Sequence, residues 1–190
     1  MNKKTIGILV AIPLLIGLIF FENIYGYFRF QWYCSNEGGL KVYEQVERDK
    51  VWISEHSSAA RFMALQDYVG FSLYKDKGGN LVNVIYKGGN SGSSKSYEFV
   101  PYDAEEESRY EYKYSYERFR KDKEIRLYKS DYIVVDKTSG KPSIQLVTFY
   151  YKFFDEDNVP FGRSSGTGCR AQSKWPWRDF VAAIDRNLKE

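Results

Sequence analysis

The chain has a single histidine and only two cysteines, and that scarcity removes a large part of metal chemistry. A zinc site, a multi-histidine centre or an iron–sulfur cluster each needs several such ligands at recurrent spacing. No metal and no cofactor is therefore expected. Catalytic signatures are missing too. There is no Cys-x-x-Cys and no G-x-S-x-G elbow, and the Gly-rich stretch 161–170 does not end in Gly-Lys-Ser/Thr. Charge of one sign is also lacking. Lys3, Lys4, Arg29 and Glu22 fall in the first 30 residues, which leaves 25 basic against 24 acidic residues beyond them. So balanced a domain has no field to draw in nucleic acid. No repeat of roughly 20–50 residues is visible, which excludes solenoids and propellers.

One long uncharged run is present. Thr5–Phe21, TIGILVAIPLLIGLIFF, is 17 residues without charge, at the short end of what crosses a bilayer. Glu22 interrupts it, but Ile24, Tyr25, Tyr27, Phe28, Phe30 and Trp32 follow at a spacing suited to the headgroup belt. Lys3 and Lys4 lie on its N-terminal side, so the positive-inside rule leaves the N-terminus cytoplasmic and sends the remainder across. Cleavage needs small residues, and Ile24-Tyr25-Gly26 is a poor site. A lipoprotein reading fails on the bulky Trp32-Tyr33 before Cys34. A pilin reading fails because Ile12 stands where a Glu belongs five residues after Gly7. The expectation is an uncleaved signal anchor with its interfacial segment over 1–30, followed by an extracytoplasmic domain over 31–190.

In an oxidising compartment Cys34 and Cys169 are expected to pair, tying the first segment of the domain to its last. The residues between them read as α+β. Two hairpins are expected, one turning at Asp76-Lys-Gly-Gly-Asn80 and one at Lys137-Thr-Ser-Gly-Lys141. Ser57–Tyr68 reads as a helix capped by Ser57. Pro176–Leu188 reads as an amphipathic helix with Trp177, Phe180, Val181, Ile184 and Leu188 on one stripe. The predicted architecture is an antiparallel sheet covered by one or two helices, behind an N-terminal transmembrane helix.

The clearest pattern is Arg109–Glu117, RYEYKYSYE, in which Tyr110, Tyr112, Tyr114 and Tyr116 alternate with polar residues on the opposite face. The stripe reads chiefly as core. Any part left exposed is a surface for a partner peptide or for stacking on sugar rings. Arg163 and Arg170, in the loop 161–170 pinned by Cys169, add a small basic surface. His56, in Ser54-Glu-His-Ser-Ser58, is the one candidate base, but no motif supplies it with an ordered third member. The acidic groups 103–107 and 155–158 lack the twelve-residue calcium loop and read as solvated turns.

Cys34-Ser-Asn-Glu-Gly-Gly-Leu-Lys-Val-Tyr43 resembles a stretch of small proteobacterial membrane-anchored envelope proteins. In these a hydrophobic N-terminus is followed closely by Cys, a Gly-Gly pair and a Lys-Val-Tyr strand. The resemblance implies a single-pass protein of the bacterial inner membrane with its domain in the periplasm, and it implies no mechanism. Three functions follow in order of expectation. The first is a non-catalytic envelope protein that binds another protein, as an accessory subunit or in an immunity role. The second is a glycan- or peptidoglycan-binding module, and the third a periplasmic hydrolase using His56.

Overall fold

The computed structural model describes residues 14–15, 21–103, 108–118, 126–153, 166–169 and 176–189. The predicted membrane segment lies outside these, apart from helical Leu14 and Leu15 and from Phe21. Among the described residues no helix is long and apolar enough to cross a membrane.

Three α-helices are described: α1 (Phe21–Asn36), α2 (Ser57–Met63) and α3 (Pro176–Arg186). The strands are β1 (Gly39–Val42), β2 (Val46–Glu47), β3 (Lys50–Ser54), β4 (Val69–Lys75), β5 (Leu81–Tyr86) and β6 (Tyr97–Pro101). They continue with β7 (Tyr110–Arg118), β8 (Leu127–Asp136), β9 (Lys141–Lys152), β10 (Gly166–Gly168) and β11 (Leu188–Lys189). The main sheet runs β1-β9-β8-β7-β3-β4-β5-β6. β8 takes one edge of β9 along its length, so β1 and β10 share the other edge, at Ile144–Val147 and at Tyr150–Lys152.

Both expected hairpins form. In the first, the Asp76 side chain accepts from the backbone N–H of Gly78 and of Asn80, closing the turn between β4 and β5. In the second, Asp136 accepts from the N–H of Thr138, and Gly140 takes the left-handed conformation at φ 68°. Arg109 meets the same buried Asp136 carboxylate at 2.7 Å, tying the start of β7 to the β8–β9 turn.

The sheet is mixed rather than antiparallel. β3 lies parallel to both of its neighbours, β4 and β7. The connection from β3 to β4 passes through α2, and such a crossover returns the chain in its original direction. β11 also pairs parallel with β2, at Leu188↔Val46. The C-terminal helix therefore ends at Arg186, and Leu188 belongs to this small ladder instead.

Alternation along β9 divides the core. Ile144 and Leu146 join Trp52, Tyr110, Tyr112, Val134, Phe180 and Ile184 under α2 and α3. Val147, Phe149 and Tyr151 turn to the opposite face and pack against Phe30 and Tyr33 of α1. Both layers are buried and rich in rings, and burying side chains of this size is what holds such a domain together.

Candidate binding surface

The tyrosine stripe of β7 is divided by what packs on it. Tyr110 packs against Trp52 and Tyr112 lies against Phe62 of α2 and Phe180 of α3, whereas Tyr114 and Tyr116 stand beyond the last β3 pair, Ser54↔Tyr112. Tyr110 and Tyr112 are 1% and 3% exposed, Tyr114 is half-buried, and Tyr116 is 50% exposed. Of the residues expected to form a contact surface, the first two are thus core and the last two reach solvent. Arg163 and Arg170 lie outside the described residues.

Around Tyr114 the rings interlock across strands. Tyr114 lies 4.8 Å from Tyr132 of β8, and Tyr132 lies 5.7 Å from Phe180 of α3. Phe180 is 6.0 Å from Tyr112, and Tyr112 is 5.7 Å from Phe62 of α2. Phe62 meets Trp177 edge-on at 5.9 Å. Trp177, expected on the buried stripe, stands instead at the first turn of α3 and is 37% exposed. Farther along β7, Tyr116 stacks on Tyr128 with planes 10° apart, and the Lys152 ammonium sits 4.4 Å from the Tyr128 ring centre.

Two adjoining grooves result, with Tyr114 and Tyr132 as their common wall. The first, about 410 Å³, is apolar inside, with Phe62, Leu65, Tyr112 and Trp177 among its lining and His56 and Gln66 as polar groups. The second, about 690 Å³, carries hydroxyls from Tyr116, Ser130, Thr148 and Tyr150 and is bounded by Gly166, Gly168 and Cys169. Cys169 is bonded to Cys34, so the disulfide joins this wall to the end of α1. No carboxylate lines either groove among the described residues.

His56 occupies the N-cap position of α2 in extended conformation, its side chain making no cap hydrogen bond. It is exposed at the groove edge beside Ser58. Among the described residues, no hydrogen bond links it to an acid. α2 itself stops at Met63, earlier than expected, and Ala60 accepts a 2.7 Å hydrogen bond from Ser72 of β4.

Burial pushes the Tyr112 hydroxyl well above its ordinary range, and it does the same to Tyr68 and, with help from Tyr114, to Tyr132. Each of the three is neutral when folded and ionises near pH 10 when unfolded. Their contribution is therefore complete below about pH 10 and is lost as pH climbs toward the raised folded values. Stability is expected to fall above about pH 10, with the last tyrosinate absorbance appearing together with unfolding. Full ionisation of every tyrosine in protein still folded by circular dichroism would contradict this burial.

Sequence periodicity missed Phe62, Trp177, Tyr128, Tyr132 and Tyr150 as surface-forming residues. The signal available was the run of even-numbered tyrosines on β8 and β9, which the pairing places on the face of the β7 stripe. The chain matches no protein-family model, no curated protein and no solved structure.

Proposed function

We propose that this is a non-catalytic, membrane-anchored envelope protein that binds another protein through the groove between α2, α3 and β7. The observation that carries the reading is the exposed Trp177 at the rim of an apolar pocket walled by Phe62, Leu65 and Tyr114. Its polar groups, His56 and Gln66 among them, are few beside the rings and aliphatic side chains. Such a cavity suits one or two apolar side chains of a protein partner, the arrangement in which a few aromatic anchors dominate affinity. The uncharged Thr5–Phe21 segment supports a single-pass tether in the bacterial inner membrane, N-terminus inside and domain in the periplasm. The Cys34–Cys169 bridge accords with an oxidising compartment.

A second reading, glycan binding, draws on the adjoining groove. Hydroxyls of Tyr116, Tyr150, Ser130 and Thr148 line it, with no charged side chain in its lining among the described residues, and the outer face of Tyr116 is open for stacking on a sugar ring. The hydrolase reading gains nothing comparable around His56.

Capture of detergent-solubilised full-length protein from native membranes tests the assignment. One stoichiometric protein is expected with the wild type and is expected to fall at least about tenfold with Trp177→Ala, a modest loss for an aromatic anchor. Glycan enrichment abolished by Tyr116→Ala would transfer the function to the second groove. Equal recovery of one protein by wild type and Trp177→Ala would contradict the groove as the binding surface.

A further inference from the structure

α1 presents two unlike faces. Gly26, Phe30 and Tyr33 pack inward on β9, whereas Phe21, Ile24, Tyr25, Phe28 and Trp32 point outward, from 46% to 69% exposed. The outward residues recur at helical spacing, so the exposed side is one apolar stripe of four aromatic rings and an isoleucine. A helix with water on its outer side carries charge there. The only charged residue from Asn23 to Asn36 is Arg29, whose guanidinium lies 5.9 Å from the Trp32 ring centre.

The helix is fastened to the sheet along its length. A Cβ on Gly26 would come within 2.7 Å of the Tyr151 hydroxyl, so only glycine permits this approach. Tyr151 donates to the Asn23 side-chain oxygen, and Arg126 donates to the same oxygen at 2.6 Å. At the other end Cys34 is held by Cys169. No slack linker separates this helix from the domain.

The identity of the covering partner follows from the continuity of the chain. Crossing about 30 Å of hydrocarbon takes roughly 20 helical residues. Counted from Thr5, the twentieth residue is Ile24, with Glu22 close to that boundary. Tyr25 and Phe28 then fall about 2 Å and 6 Å beyond the boundary at 1.5 Å per residue, within the headgroup layer. Trp32 is higher by one turn, but helical side chains slant toward the N-terminus and ordinary tilt lowers it further. Rings at this depth fit the headgroup layer of a bilayer.

We propose that the outer stripe of α1 is a membrane-contact surface, seated in the headgroup layer of the bilayer that residues 5–24 enter. The end of the sheet at Leu127 and Tyr151, beside Asn23, then faces the lipid, and the domain stands at a fixed orientation instead of swinging on a tether. This inference rests on the anchor reading above, and its test separates the two.

Full-length protein is reconstituted into phosphatidylethanolamine–phosphatidylglycerol vesicles, with and without lipid brominated at shallow acyl positions. Quenching is compared between the wild type and Trp32→Phe, a replacement at a half-exposed position that keeps an aromatic ring. Both proteins are expected to float with the vesicles. The wild type is expected to lose a fluorescence component to bromine, and Trp32→Phe is expected to lack that quenched component. Flotation with identical quenching in the two proteins would overturn the membrane-contact surface while leaving the anchor intact, and the stripe would then be a protein-covered face. Failure of the wild type to float would overturn the anchor, and the inference with it.

Discussion

Replacing Cys34 or Cys169 with serine is expected to lower the melting temperature by the same large amount. The bridge spans 135 residues of sequence. Chain-entropy arithmetic for a loop of that size gives about 5 kcal/mol. At roughly 2–4 °C per kcal/mol, the shift is about 10–20 °C. The structural consequence is local as well. β10 has only three residues against β9, and its neighbour Cys169 is the covalent link that carries it to α1. The double substitution is expected to equal either single one, because each opens the same bond. Thermal denaturation under oxidising conditions reads all three variants. Unequal single effects, or a double variant much worse than either, would contradict the pairing as the source of the stability.

The second large effect separates core from surface within one aromatic cluster. Phe180 is fully buried and contacts both Tyr112 and Tyr132, so Phe180→Ala leaves a cavity beneath α3. Truncations of this kind cost about 3–5 kcal/mol. Tyr116→Ala, at a half-exposed ring beyond the end of the β3 ladder, is expected to cost less than about 1 kcal/mol. Denaturant titration of both variants gives the comparison. Similar losses would make the whole tyrosine stripe structural and would remove Tyr116 from any binding surface.

The contrast also marks what was readable in the sequence. The turns at Asp76–Asn80 and Lys137–Lys141 were legible because their chemistry is local: a Gly for the left-handed region, to which the structure adds Asp76 and Asp136 accepting backbone N–H groups. The alternation of β7 was legible for the same reason, since period two needs no knowledge of neighbours. What covers each tyrosine was not legible. Tyr112 and Tyr114 have the same alternating pattern, and only the packing of Phe62 and Phe180 on Tyr112 puts one inside and leaves the other at a groove. The parallel placement of β3 between β4 and β7 is likewise a non-local choice. No residue in Lys50–Ser54 encodes it, and a sheet reading built on hairpins defaults to antiparallel. Trp177 shares the period of Phe180 and Ile184, but it lies at the first turn of α3, edge-on to Phe62 of α2 and 37% exposed. The aromatic run after Thr5–Phe21 was readable as apolar. Its division into an inner face of Gly26, Phe30 and Tyr33 and an outer face of Phe28 and Trp32 required knowing where β9 lies.

The central claim is a binding domain tethered to the membrane and lying outside the cytoplasm, and its most direct test is a topology fusion. A reporter enzyme active only in the periplasm is joined after Glu190 of the full-length chain, and a second fusion carries a reporter active only in the cytoplasm. The account predicts activity from the periplasmic reporter, silence from the cytoplasmic one, and both fusions in the membrane fraction. An expressed but silent periplasmic reporter, with its cytoplasmic counterpart active, would contradict the orientation and the compartment in which the Cys34–Cys169 bridge is proposed to form.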